Sequence, residues 1–410
     1  MSGLLQGIKI LDVTTFLSGP YATQLLAGLG AEVIKVEQPG SGDPARISPP
    51  FVGPRGASGT PLTPDDMSFG FLKRCRNKKS ITLNLKSAKG REIFRDLAAK
   101  VDVVMENFRP GTMERLGIGY QELKAVNPGL VYCTLSGFGV SGSYAALPAF
   151  DIVIQAMSGM MTVNGTPDMP PLKVGLTLAD LAGGMYAVIG ILAALQYRNQ
   201  TGKGQMVECS MLDALISLML DEAPDFWSTQ GRPVRMGNRL LRLTPFNSYP
   251  TRDGFIVIAG GNDIHWQRIC KAMGREDLVE DPRYETQAQR AANADEVDAE
   301  IASWTKTKSS QEVVDVLIKY EVPCGPVRDI LDVLQDEELK KRGTIVDLEH
   351  PAVGKIDGFK AWGLPIKFSE AEAGFDRPAP ILGAHNQEVY GRMLGLKEDD
   401  LEKLEKEEVI

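Results

Sequence analysis

The sequence predicts an α/β protein, a doubly wound parallel sheet with helices on both faces, joined to a smaller α+β domain. Three observations carry that expectation. Short apolar runs alternate with amphipathic stretches from residue 8 to residue 135. A change of character follows near residue 230, where prolines and glycines cluster. The length of 410 residues exceeds what one simple core holds.

In chain order, residues 8–13 read as the first strand and 20–29 as a helix with Pro20 near its start, where a missing N–H costs little. Residues 32–36 are a second strand. Residues 39–70 break the pattern, because Pro39, Gly40, Gly42, Pro44, Pro49, Pro50, Pro54 and Gly56 make a long irregular excursion. A loop of that length in a compact domain is functional or pinned by a partner. Residues 87–100 form an amphipathic helix with Ile93, Leu97 and Ala98 at helical spacing. Strands at 101–105 and 130–135 flank a helical segment at 120–126. Residues 181–197 are a nearly continuous apolar helix, slightly short for a membrane span and interrupted by Gly183 and Gly184. They read as a buried central helix. A strand at 205–209 and a helix at 211–222 follow, and the domain boundary falls at 223–238. The expected domains are 1–225 (large α/β), 226–330 (small α+β, with strands at 246–249 and 255–259) and 331–410, a segment returning to the first.

Composition narrows the function. A net charge of −8 argues against nucleic-acid binding as the main task. The five cysteines are scattered without a CxxC, and His265, His350 and His385 lie far apart, so neither a metal centre nor a redox cofactor is expected. No basic-then-apolar leader opens the chain, and the expected location is the cytoplasm, with no membrane partner. The opening strand–helix–strand is Rossmann-like and ends on Glu37, where dinucleotide folds place an acid against a ribose hydroxyl. Its first loop, from Thr14 to Pro20, lacks the GxGxxG that lets backbone approach a pyrophosphate. GxxxxGK[ST], GxSxG and HExxH are also missing, which leaves P-loop, serine-hydrolase and zincin chemistry without support.

Asp180 stands where the 173–179 stretch meets the apolar helix. An ordinary N-cap is the local reading. The same position would keep a sheltered carboxylate ionised, because unpaired N–H groups and the macrodipole favour negative charge there. An ionised, poorly hydrated carboxylate is a competent nucleophile.

Several segments, in order and across nearly the whole chain, resemble the family III CoA-transferases, the group that includes formyl-CoA:oxalate CoA-transferases and α-methylacyl-CoA racemases. They are LQGIKILDV (5–13), Ser18-Gly19-Pro20, LGAEVIKVE (29–37), PGSGD (39–43), NKKS (77–80), LNLK (83–86), ENFRPG (106–111), RLG (115–117), ADLAGGM (179–185), TGKGQ (201–205) and VPCGPV (322–327). The resemblance implies an enzyme that moves CoA between carboxylic acids, with Asp180 carried as a mixed anhydride and then as an aspartyl-CoA thioester. It implies that Lys86 and Arg115 hold the nucleotide phosphates of coenzyme A, with solvated surface charge as the competing reading. Leu83, Asn107 and Phe108 match positions lining the CoA groove, where core packing (Leu83, Phe108) and a turn role (Asn107) compete. Gly137, Phe138 and Gly139 would let backbone approach the pantetheine arm. The family's interlocked dimers imply a homodimer, with 200–238 and 328–345 as linkers; a hetero-oligomer is the other possibility.

One position separates the branches. Racemases place a His before an Asp in the segment after the S-G-x-G loop, and here the pair is Phe150-Asp151. Phenylalanine moves no proton, which favours the transferase over a 2-methylacyl-CoA racemase or epimerase. Asp151 reads as a cap for the helix at 152–157. A non-catalytic acyl-CoA-binding subunit, the remaining alternative, would be expected to have lost Asp180. Departures from the oxalate branch are Leu17 for its Gln, Gln38 for an Arg, and Gly237-Asn238 and Gly260-Gly261 in place of its glycine run. They point towards a bulkier dicarboxylate or an aryl-substituted acid.

Overall fold

Strand order decides where this protein can bind a ligand. In the computed structural model, which describes residues 3–220, 235–240 and 242–410, β1 (Lys9–Asp12) leads through α1 (Ser18–Gly28) to β2 (Glu32–Glu37). A small antiparallel sheet follows, made of β3 (Phe51–Gly53), β4 (Gly56–Ser58) and β5 (Met67–Ser68) in the order β4-β3-β5. Then come α2 (Phe69–Arg74), β6 (Lys78–Thr82), α3 (Ala88–Ala98), β7 (Val103–Glu106), α4 (Thr112–Arg115), α5 (Tyr120–Val126) and β8 (Val131–Ser136). After α6 (Asp151–Met157) and the short α7 (Met160–Val163), α8 (Leu178–Thr201) precedes β9 (Met206–Ser210) and α9 (Met211–Met219). The main sheet runs β6-β2-β1-β7-β8-β9, all parallel. Counted along the chain this is the 3-2-1-4-5-6 doubly wound order, whose switch point lies between β1 and β7.

The strands alternate towards two apolar layers. Ile10, Val33, Val103, Met105 and Val131 face a core with α1, α8 and α9. Leu11, Ile34, Val36, Val104 and Tyr132 face the other, closed by α3 and by the C-terminal residues Val389, Tyr390, Leu401 and Ile410. That two-sided burial is why these runs are apolar almost throughout. The C-terminal part also contributes the hairpin of β13 (Ile345–His350) and β14 (Gly354–Trp362) and the helices Asn386–Leu394 and Glu398–Lys406. By contacts, residues 337–410 cluster with the unit that contains the main sheet.

α8 passes a length-and-composition test for a membrane span, but half of it is packed inside the chain. Two glycines allow that packing. A Cβ on Gly183 would lie 3.0 Å from Met211 and 3.1 Å from Leu135, and one on Gly184 would lie 2.9 Å from the Ser18 carbonyl oxygen.

By contacts the chain divides into two compact units: residues 1–160, 173–224 and 337–410, and residues 161–172 with 225–336. The second contains the antiparallel sheet of β10 (Phe246–Pro250), β11 (Phe255–Ala259) and β12 (Cys324–Pro326), and its core includes Tyr249, Ile258, Trp266, Ile301 and Leu317. Residues 161–172, which a contiguous division puts in the first domain, cluster with this unit. The expected boundary at 223–238 and the end of the expected 211–222 helix fall partly outside the described residues.

Four local readings change. Residues 39–70 include the sheet β4-β3-β5 and are not wholly irregular. β6 was not anticipated, because Lys78-Lys79-Ser80-Ile81-Thr82 has one large apolar residue; Lys78 and Ser80 are nevertheless buried, by ionic and polar partners. Asp180 is not an N-cap: Thr177 holds that position and Asp180 is the third residue of α8. Asp151 is the first residue of α6, after the cap Phe150, and its carboxylate serves a different helix.

Candidate active site

The turn from β1 into α1 is held by four side chains, three buried (Asp12, Lys35 and Asp43) and one half-buried (Asn107). Asp12 accepts from the N–H of Thr14 (3.0 Å), Lys35 donates to the Thr14 carbonyl (2.7 Å), Asn107 accepts from Thr15 N–H (2.8 Å) and donates to Thr15 O (2.9 Å), and Asp43 accepts from Phe16 N–H (3.1 Å). Phe16 sits at φ 66°, a left-handed conformation that an aromatic residue adopts at a cost. The surrounding hydrogen bonds hold it there.

Beneath the turn lie two buried ion pairs, Lys78–Asp12 at 2.9 Å and Lys35–Asp43 at 2.8 Å. Burial alone would raise the Asp12 carboxyl, but Lys78, Lys35 and the Thr14 hydrogen bond outweigh it and hold the group well below the carboxylate range. Removing one partner would leave a buried charge unpaired, a loss of about 3–5 kcal/mol. The anchored turn ends in Ser18, whose side chain lowers the Asp180 carboxyl.

Asp180 itself is half-buried on the first turn of α8. Its carboxyl is pushed up to about 6, first by burial and then by the negative charge of Asp151; the Ser18 side chain and the Arg74 guanidinium pull the other way. Arg74, at the end of α2, is half-buried and has no hydrogen-bond partner among the described residues. Burial lowers its pKa, offset in part by Cys75, Asp180 and Asp43.

Two cavities lie side by side over the carboxyl edge of the sheet. The first, about 310 Å³, is walled by Thr15, Leu17, Asn107, Phe108, Ser136, Gly137, Phe138, Phe150 and Asp180. It sits over β1, β7 and β8, at the switch point, where open α/β sheets bind ligands. The second, about 380 Å³, is mostly apolar and lies over β6, β2 and β1, with Leu83, Lys86, Gln38, Phe108 and Thr112 in its wall. Thr15 and Phe108 belong to both.

The residues singled out by sequence distribute over this pair. Asp180, Asn107, Phe108, Gly137 and Phe138 line the first cavity; Leu83, Lys86 and Phe108 line the second. Leu83 also packs in the core. Asn107 spends both side-chain donors and its acceptor on the β1–α1 turn, so it acts as a clamp between loops. Gly137 has to be glycine, since a Cβ there would lie 2.3 Å from that of Ala149. Arg115 and Gly139 stand outside both walls. Arg115 is exposed and donates to Thr112, a residue of the second cavity's wall (2.9 Å), and Gly139 makes a left-handed turn beside Glu208. Phe150, in place of a racemase histidine, is 70% exposed and meets Phe16 edge-on at 6.5 Å.

Sequence reasoning missed Thr15, Arg74, Gln155 and the buried Lys35 and Asp12. The last two carried a signal, a charge in the middle of an apolar strand. Glu106 carried one too. Burial pushes its carboxyl up to about 7, and it accepts from Phe108 N–H at 2.7 Å, fixing one of the two residues shared by the cavities.

The site thus places a half-buried carboxylate at the switch point of a doubly wound sheet, beside a second, mostly apolar cavity. The chain belongs to CoA-transferase family III, whose model matches residues 5–386. It is 37% identical to the succinyl-CoA–D-citramalate CoA-transferase of Chloroflexus aurantiacus, over 99% of this chain and 98% of the relative. It is 33% identical to the succinyl-CoA:glutarate CoA-transferase of Mus musculus, over 98% and 88%. A solved CaiB/BaiF family protein from Brucella suis superposes with a TM-score of 0.83 at 34% identity, covering 96% of this chain and all of that one. The protein is thus a CoA-transferase, an enzyme class that takes an acyl-CoA as substrate.

Proposed function

We propose that this enzyme exchanges CoA between dicarboxylic acids, with Asp180 as the covalent catalyst and succinyl-CoA as the first donor to test. The observation that carries the reading is that, among the described residues, Asp180 is the one carboxylate in the wall of the switch-point cavity. The Asp180 carboxylate attacks the thioester carbonyl, the C–S bond breaks, and CoA leaves as thiolate while a mixed anhydride forms. The thiolate attacks the aspartyl carbon of the anhydride, releasing the donor acid and leaving an aspartyl-CoA thioester. The acceptor carboxylate attacks that thioester and frees the thiolate again. The thiolate then takes the acceptor's acyl group, and Asp180 returns to carboxylate. Each step exchanges one activated acyl bond for another, so no group needs to donate or remove a proton.

The second cavity suits the nucleotide end of CoA, with Lys86 at its rim and Arg115 beside Thr112 as exposed cations for phosphate. The first suits the pantetheine tip and the acids, with Gly137 and Phe138 along the arm. The dicarboxylate class is supported by the names of the relatives, which include succinate, glutarate and citramalate, and by Arg74. A half-buried guanidinium without a hydrogen-bond partner, close enough for its charge to be felt at Asp180, is suited to a remote carboxylate.

The enzyme is further proposed to act in the cytoplasm, consistent with five unpaired cysteines, and as an interlocked homodimer. α8 exposes Met185, Tyr186 and Ile189, an apolar face that a second copy would cover.

The test is incubation with succinyl-CoA and a panel of acids, with mass spectrometry for new acyl-CoAs and for an adduct on the peptide carrying Asp180. Asp180→Ala is expected to abolish both. Wild-type turnover in that variant would remove Asp180 from the mechanism.

A further inference from the structure

A helix N-terminus leaves backbone N–H groups in need of acceptors, and the usual source is the N-cap side chain. Thr177, the cap of α8, makes no such bond. The acceptor comes from another helix, since Asp151 Oδ1 accepts the N–H of Ala179 at 2.8 Å, one residue before Asp180. Asp151 Oδ2 accepts from Gln155 Nε2 at 2.7 Å, one turn further along α6. Gln155 in turn donates to the Leu176 carbonyl (3.0 Å) and accepts from Val174 N–H (2.8 Å). Two side chains of α6 therefore hold three backbone groups of the segment that runs into Asp180.

We propose that Asp151 is the positioning residue for Asp180, acting with Gln155 as a latch from α6 onto the first turn of α8. The inference rests on Asp180 being the nucleophile.

Three further observations support it. Gln155 is fully buried and Asp151 nearly so, and neither belongs to the cavity wall, which separates them from substrate. The two side-chain hydrogen bonds to Asp151 come from neutral donors, Ala179 N–H and Gln155 Nε2. The groups facing Asp180 are Asp151 from α6, Ser18 from α1 and Arg74 from α2. Asp151 is the one among them that raises the Asp180 carboxyl, adding to burial. The latch thus places the carboxylate and keeps it more basic than Ser18 and Arg74 alone would. A nucleophile misplaced by about 1 Å can lose about a hundredfold in rate.

The test uses the full-length enzyme with Asp151→Asn and Gln155→Met, read by pH profiles and by the Asp180 adduct. Asp151→Asn keeps an acceptor for Ala179 N–H and removes the charge. Its acid limb of kcat/KM is expected to move to lower pH by about half a unit or more. Gln155→Met is expected to leave that limb in place and lower kcat by about tenfold or more, with KM for the acyl-CoA unchanged. Wild-type profiles and kcat in both variants would overturn the latch, as would a fall in kcat of Asp151→Asn with an unmoved limb, which marks a structural role alone. Failure of the wild-type enzyme to form an adduct would instead sink the assignment of Asp180.

Discussion

The raised carboxyl of Asp180 lowers stability at neutral pH. Its folded-state carboxyl, near 6, lies above the ordinary 3.8, so the folded protein holds this proton more tightly than the unfolded chain does. The stabilisation from that proton is complete below about pH 4 and is lost as pH rises through about 6. Asp180→Asn mimics the protonated form, and at pH 7.5 it is expected to raise unfolding free energy by up to about 3 kcal/mol, with little gain at pH 4. Denaturant melts at the two pH values measure the difference. Arg74→Ala is expected to raise KM for a dicarboxylate acceptor by about tenfold or more while changing KM for a monocarboxylate little. Steady-state assays with matched acids check it. At this scale Asp180 was legible because a motif surrounds it. Its neighbour Asp151 was legible as an acid near a helix start, but not as the acceptor for a first-turn N–H of α8, because that contact joins residues 28 apart in sequence.

Among the elements, the β1–α1 turn and the start of α8 form one unit. Gly184, one turn after Asp180, sits against the Ser18 carbonyl, and an added Cβ would come within 2.9 Å of that oxygen. Gly→Ala in a helix interior ordinarily gains about 1 kcal/mol. Here overpacking against backbone opposes it by about 1–3 kcal/mol. Gly184→Ala is therefore expected to lower the melting temperature and to reduce kcat by moving Ser18 away from Asp180; calorimetry and turnover read the two effects. The apolar strands β1, β2, β7 and β8 were legible from runs of buried side chains. β6 was not, since its Lys78 and Ser80 are buried by partners on β1, α1 and β2 rather than by apolar character. Phe16 at φ 66° is likewise invisible in sequence, because the restraints come from Asp43 and from residues on either side of the turn.

For the whole molecule, the homodimer proposed above has the exposed apolar face of α8 as its candidate interface. Ile189→Glu, at a position 60% exposed in the single chain, is expected to yield a monomer or a weakened dimer with reduced activity. Sedimentation velocity over a range of concentrations would detect it, and an unchanged dimer would place the interface elsewhere. The α/β class, the family, the apolar central helix and the motif around Asp180 were all readable from the chain alone, because period, composition and ordered motifs are local properties. Tertiary structure decided the 3-2-1-4-5-6 strand order, the two cavities that share Phe108 and Thr15, the half-buried Arg74 near Asp180, and the bonds from α6 to the start of α8. These depend on groups far apart in the chain meeting in a low-dielectric interior, where an unmatched charge or N–H is costly and each partner is chosen by geometry.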